Sequence, residues 1–113
     1  MHELALTEGI LSIVSSEQKK SGFTRVLEID LRIGEFSGVV PGCIEEFFPL
    51  AAKDTAAEGA KLVMKTLPAE FECPDCGFRG KIEKRSAACP DCGGTAIRMT
   101  AGREFYVENL IVE

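Results

Sequence analysis

The pentapeptide Cys-Pro-Asp-Cys-Gly occurs twice in this chain, at Cys73 to Gly77 and at Cys89 to Gly93, with twelve residues between Cys76 and Cys89. Two thiolates three apart on a tight turn can grip one ion from one side. A second such turn, brought back by a short hairpin, completes a tetrahedron of sulfurs. Zn²⁺ takes that geometry, and a site closed by four sulfurs is structural because no coordination position stays open. Pro after the first Cys fixes φ, and Gly after the second supplies the positive φ that lets backbone N–H groups turn toward sulfur.

Three rivals to zinc are weaker. A disulfide pair needs an oxidising compartment, and the opening Met-His-Glu-Leu-Ala-Leu-Thr-Glu has no basic segment followed by an apolar one, so no secretory signal is visible. A cytoplasmic location is expected. A redox dithiol needs only one C-x-x-C. Iron in a rubredoxin-like S₄ site is the closest competitor, since the knuckles look much alike.

The chain has 113 residues, room for one small core and the metal module, and the metal serves as the staple that a domain of this size needs. No apolar run reaches the roughly 18 residues of a membrane span, so no membrane partner is expected. A net charge of −5 argues against nucleic acid as a partner of the whole chain. Arg79, Lys81, Lys84 and Arg85, with Glu83 against them, read as a solvated hairpin face.

Leu4, Thr7, Leu11 and Val14, with Ile10 beside them, recur at helical spacing, and the polar run Ser15 to Ser21 followed by Gly22 closes that helix. From Thr24 to Ile33 the period becomes two: Leu27, Ile29, Leu31 and Ile33 face one way, Glu28, Asp30 and Arg32 the other. Gly34 to Gly38 is a turn. Pro41 opens a second helix with an apolar stripe of Ile44, Phe47, Phe48, Ala51 and Ala52; Pro49 should kink or interrupt it, and Gly59 ends it. Lys61 to Leu67 reads as a second strand, Glu70 to Cys73 leads into the first knuckle, and Glu104 to Val112 reads as a third strand. The expected fold class is α+β: a small three-stranded sheet packed by two helices, with an inserted zinc-ribbon-like module. Residues 1–70 with 105–113 form the expected body, and 71–104 the zinc-binding domain.

His2 is the single histidine and directly follows Met1. It is too bulky for the usual methionine removal, so a free Met1 amine is expected. The Met1 amine, the His2 amide, the His2 imidazole and the Glu3 amide then lie within three residues. Amine and first amide close a five-membered chelate ring, and that amide with Nδ1 closes a six-membered one. Such an in-plane nitrogen set suits Ni(II) or Cu(II). A helix start helps, because its first N–H groups have no intrahelical partner and its dipole favours negative charge. A solvent-exposed histidine at a frayed terminus is the ordinary alternative, and spacing does not decide between them.

Met-His-Glu opening a helix, the run Leu31-Arg32-Ile33-Gly34-Glu35-Phe36-Ser37-Gly38-Val39, the two C-P-x-C-G knuckles and Gly102-Arg103-Glu104-Phe105 together resemble the HypA/HybF family of nickel metallochaperones in NiFe-hydrogenase maturation. The resemblance covers essentially the whole chain. It implies that Met1, His2 and Glu3 bind nickel, with the His2 side chain indispensable, and that Cys73, Cys76, Cys89 and Cys92 hold structural zinc. It also implies work with the GTPase HypB and delivery of Ni²⁺ to the hydrogenase large-subunit precursor. Cys43 lies outside the family's motifs and reads as a small apolar residue. No histidine flanks the knuckles, so the pH-responsive zinc site of some relatives is not carried over.

Transfer rather than catalysis is expected, because no residue pair suggests acid–base or nucleophilic chemistry. The alternatives are a zinc-ribbon module binding nucleic acid or a polymerase, and a rubredoxin-like electron carrier. A terminal strand that completes a sheet is also a candidate for exchange between protomers, which leaves a homodimer open.

Overall fold

The structure, a computed structural model, describes residues 3–82 and 88–113. Helix α1 (Glu3–Ser21) leads into strand β1 (Val26–Gly34), helix α2 (Pro41–Ala52) and strand β2 (Lys61–Leu67). The knuckle module carries β3 (Glu70–Glu72), β4 (Arg79–Gly80) and β5 (Arg98–Ala101), and β6 (Phe105–Val112) returns to the body. The described strands form two sheets, ordered β2-β1-β6 and β4-β3-β5. The α+β architecture with an inserted knuckle module is therefore as expected.

β1 is the central strand of the body, parallel to β2 and antiparallel to β6. The parallel pairing requires a crossover, which α2 supplies. Ile29, Leu31 and Ile33 are at most 2 % exposed, and Ile10 and Val14 of α1 with Ile44, Phe48 and Ala52 of α2 close over that face.

Leu27 departs from its expected face. It is exposed, and Val26 is buried in its place. The cause is a register shift: Val26 pairs with Val112 but Glu28 with Ile111, so Leu27 is the extra residue of a bulge and the two-residue alternation restarts there. A second shift lies on β6, where Asp30 pairs with Asn109 and Leu31 with Val107, leaving Glu108 as the extra residue.

On α1 the buried positions are Glu3, Thr7, Ile10 and Val14, while Leu4 is 47 % exposed. Positions 3, 7, 10 and 14 follow the helical stripe, and Leu4 sits one residue, about 100°, around from it. Glu3 complements the helix dipole at the first turn, as Lys19 and Lys20 do at the last. Gly22, at φ +71°, ends the helix by donating its N–H to the Gln18 carbonyl at 2.8 Å.

Pro49 does not interrupt α2, which runs unbroken to Ala52. A proline three residues before a helix end removes one bond from the last turn, where packing of Phe48 and Ala52 holds the backbone in place. Nor does Gly59 end the helix. The Thr55 N–H and hydroxyl both donate to the Ala52 carbonyl, at 3.0 and 2.6 Å, and Asp54 turns to φ +64°. Gly59, at φ +77°, closes the turns that follow.

The module joins the body where three segments cross. Gly34 donates its N–H to the Glu104 carbonyl at 2.6 Å, Glu35 to Leu67 at 2.8 Å and Phe36 to Gly102 at 2.7 Å. Only glycine fits at Gly34, where a Cβ would overlap the Gly102 carbonyl and lie 2.8 Å from the Arg103 nitrogen. Phe36 meets Phe71 edge to face at 6.5 Å, tying the turn after β1 to β3.

Candidate metal centre

The two pentapeptides fold into matching turns. In the first, Cys73 donates its N–H to Phe78 at 2.8 Å and accepts one from Gly77 at 2.9 Å. In the second, Cys89 donates to Gly94 and accepts from Gly93, both at 2.8 Å. Gly77 and Gly93 sit at φ +80° and +73°, the conformation anticipated for the residue after each second cysteine.

β3, paired on one side with β4 and on the other with β5, brings the turns together. Glu72 lies opposite both Arg79 and Arg98 and makes ion pairs with them at 3.5 and 2.6 Å. Arg79 of the basic linker is therefore engaged within the module, while Glu83, Lys84 and Arg85 lie outside the described residues.

The Sγ atoms of Cys73, Cys76, Cys89 and Cys92 all lie within 4.8 Å of one another, with Cys73–Cys92 at 3.7 Å and Cys76–Cys89 at 3.6 Å. A disulfide would require about 2.05 Å, and all five cysteines are free thiols. Four sulfurs each about 2.3 Å from one Zn²⁺ at tetrahedral corners would stand about 3.8 Å apart. The donor set therefore fits zinc in kind, number and spacing. Cys73 and Cys89 are buried, Cys76 and Cys92 exposed, and Gly94 turns its N–H toward Cys92 Sγ at 3.4 Å.

Cys89 and Cys76 are shifted in opposite directions. Burial alone would raise Cys89, but the N–H groups of Cys92 and Asp91 and the neighbouring Cys76 and Cys92 hold it at about 7. The Phe78 N–H pulls Cys76 down, yet burial and its three thiol neighbours prevail and push it up to about 12. Cys89 is thus the more readily ionised of the two, and a bound divalent ion would favour the thiolate forms.

The other expected ligands are distributed differently. Glu3 is the first residue of α1, 9 % exposed, and its carbonyl accepts the hydroxyl of the fully buried Thr7 at 2.8 Å. Met1 and His2 lie outside the described residues. Cys43 is half-buried near the start of α2 and is not in the sulfur cluster. The glycine crossing at Gly34 and Gly102 and the Glu72 clamp were not anticipated from the residues; the glycines at the end of β1 and just after β5 were the available signal. Among the described residues, no helix is long and apolar enough to cross a membrane.

Residues 1–112 match the family described as "Hydrogenase/urease nickel incorporation, metallochaperone, hypA". The chain is 39 % identical over 113 residues to the hydrogenase maturation factor HypA of Geobacter metallireducens, covering all of both chains. It is 35 % identical to the HypA of Dehalococcoides mccartyi over 113 residues, covering all of this chain and 95 % of that one. The solution structure of the Ni metallochaperone HypA from Helicobacter pylori superposes with a TM-score of 0.73 at 21 % identity, over 99 % of this chain and 97 % of that one, a likeness of fold. Taken with the closed four-sulfur knuckle on a two-helix body, this match along the whole length places the chain in the HypA family of nickel metallochaperones for hydrogenase maturation.

Proposed function

We propose that the chain binds Ni(II) through Met1, His2 and Glu3 and, working with the GTPase HypB, delivers it to the hydrogenase large-subunit precursor. The supporting observation is the division of labour among potential ligands. The four clustered thiols make a closed set suited to Zn²⁺ as a structural ion, with Cys73, Cys76, Cys89 and Cys92 as its ligands, so cargo must bind elsewhere. Helix α1 begins at Glu3, directly after His2. The Met1 amine, the His2 and Glu3 amides and the His2 imidazole then offer Ni(II) four nitrogens, once the amides lose their protons. A terminal site can be reshaped by a docking partner at little cost to the core, which suits a protein that must release what it binds. Protons compete with nickel for the imidazole, so release is favoured on acidification. The function is transfer, not catalysis, in the cytoplasm; residues 1–70 with 105–113 act as the nickel-binding domain and 71–104 as the zinc-binding one.

The test is Ni(II) titration of untagged, zinc-loaded protein beside His2→Ala and a variant with one residue added before Met1. One tight site that either change abolishes, with zinc content unaltered, is the expected result. Nickel affinity unchanged in both variants would sink the N-terminal assignment.

A further inference from the structure

Both helices pack on one face of the body sheet, and the residues of its other face are exposed or half-buried. Register sets three residues of that open face side by side at the end nearest the module. Lys65 of β2 lies opposite Arg32 of β1, and Arg32 lies opposite Tyr106 of β6. Neighbouring strands stand about 4.8 Å apart, so the three form a row across the sheet with two cations next to each other. Gly34 follows two residues along on the same face, and the Arg103 nitrogen lies 2.8 Å from where its Cβ would stand. A third cation, the exposed Arg103, therefore starts at the end of the row.

These cations have no counter-charge, although the chain carries 18 acidic residues against 13 basic ones. Among the described residues the ion pairs join Lys20 to Glu17, Arg25 to Glu113, and both Arg79 and Arg98 to Glu72; none engages Arg32, Lys65 or Arg103. The half-buried Arg32 makes one bond, from its guanidinium to the Leu31 carbonyl at 3.3 Å, and its other donors stay open. The neighbouring carboxyls turn elsewhere. Glu28 and Asp30 are hydrogen-bonded to each other, which raises the Glu28 carboxyl above its ordinary 4.5, and Glu104 accepts the Gly102 N–H. Like charges directly opposite on adjacent strands destabilise a sheet, so an outside carboxylate is what this row lacks.

We propose that the row Lys65, Arg32 and Tyr106, with Arg103 at its end, is a docking surface for an acidic helical segment of a partner protein lying across the strands. Glutamates four apart on a helix stand about 5–6 Å from each other, close to the spacing of Lys65 and Arg32. One meets the Lys65 ammonium, and the other takes paired bonds from the planar Arg32 guanidinium. An apolar residue one turn further on rests against Tyr106, which is 42 % exposed. An open sheet face suits a protein surface better than a small anion, which favours a concave site. A net charge of −5 repels an extended polyanion such as nucleic acid. The surface uses neither the thiol cluster nor Met1, His2 and Glu3, so it stands whether or not those three bind nickel.

NMR titration of the untagged, zinc-loaded chain tests the proposal. The probe is an alanine-based helical peptide with glutamates at i and i+4 and leucine at i+8. Saturable shifts of the Arg32, Lys65 and Tyr106 amides are expected, with affinity falling as salt is raised. Replacing both glutamates of the peptide by glutamine, or Lys65→Glu in the protein, should weaken binding about tenfold. Lys65 is exposed, and unchanged zinc content and helical signal will verify that its substitution leaves the fold intact. Exchanging one peptide glutamate for lysine should restore binding to Lys65→Glu, a rescue that a misfolded protein cannot give. Absence of saturable shifts, shifts confined to other residues, equal binding of the glutamine peptide, or tighter binding of oligothymidylate or inorganic phosphate at the same amides would each overturn the assignment.

Discussion

Replacing Gly34 by alanine adds one methyl group at the crossing of β1 with the segment that returns from the module. The new Cβ would overlap the Gly102 carbonyl and stand 2.8 Å from the Arg103 nitrogen, where ordinary contact begins near 3.4 Å. Both neighbours are backbone and cannot swing aside like a side chain. Gly34 is not among the positive-φ glycines, so the effect is steric rather than conformational. Relief requires moving residues 102–103 away, which stretches the bonds from Gly34 to Glu104 and from Phe36 to Gly102. Overpacking costs about 1–3 kcal/mol and each weakened bond about 1 kcal/mol, together about 3–5 kcal/mol. For a domain of this size that lowers Tm by about 12–20 °C. Tyr106 is the only tyrosine, and the chain has no tryptophan, so its fluorescence on β6 reports unfolding of the body in zinc-loaded protein. Gly9→Ala is the counterpart. It sits in α1 with nothing within 4 Å of an added Cβ and should gain about 1 kcal/mol from helix propensity. If Gly34→Ala matched the parent to within about 0.5 kcal/mol, the close crossing would be refuted.

The same reasoning applies elsewhere in the molecule. Ile10→Ala, at 2 % exposure, should cost about 2–5 kcal/mol in urea unfolding, while Leu4→Ala, at 47 %, should cost under about 1 kcal/mol. Cys89→Ser should abolish stoichiometric zinc and loosen residues 71–104 to proteolysis, with the α1 and α2 helical signal largely retained. The N–H groups of Glu104, Gly102 and Arg103 hold the Glu104 carboxyl below its ordinary 4.5. Its contribution to stability is therefore present above that value and lost as pH falls through the lower folded value. Glu104→Gln should destabilise at pH 7 by an amount that vanishes in acid, as unfolding curves at the two pH values will show.

The elements legible in the sequence were those whose cause is local. The knuckles are specified by their own Pro, Gly and Cys, and β2 by its own residues, so spacing alone located them. Leu27 was assigned to the wrong face because a bulge is set by the partner strand: nothing within residues 24–33 shows that Val112 will meet Val26 and Ile111 will meet Glu28. Glu3 lies on the buried stripe and Leu4 off it because the stripe is fixed by Ile10 and Val14 further along the helix; the local hydrophobicity pointed the other way. Pro49 shows tertiary contact prevailing over propensity, since Phe48 and Ala52 hold the turn that proline weakens. The sulfur cluster was readable in full, while the crossing at Gly34 depends on residues far apart in the chain and was not.

β6 completes the body only after residues 68–104 have intervened, although it pairs with β1 near the other end of the chain. Closing that span as a slack loop costs conformational entropy before any contact rewards it. Within the folded module Glu70 pairs with Ala101, which sets the two ends of the intervening segment side by side. Zinc captured early would shorten the effective loop between β2 and β6 to a few residues and remove about 1–2 kcal/mol from the closure. A metal held by the four thiols would then act as a folding cofactor for a sheet it never touches, and the body should refold faster with zinc than without it.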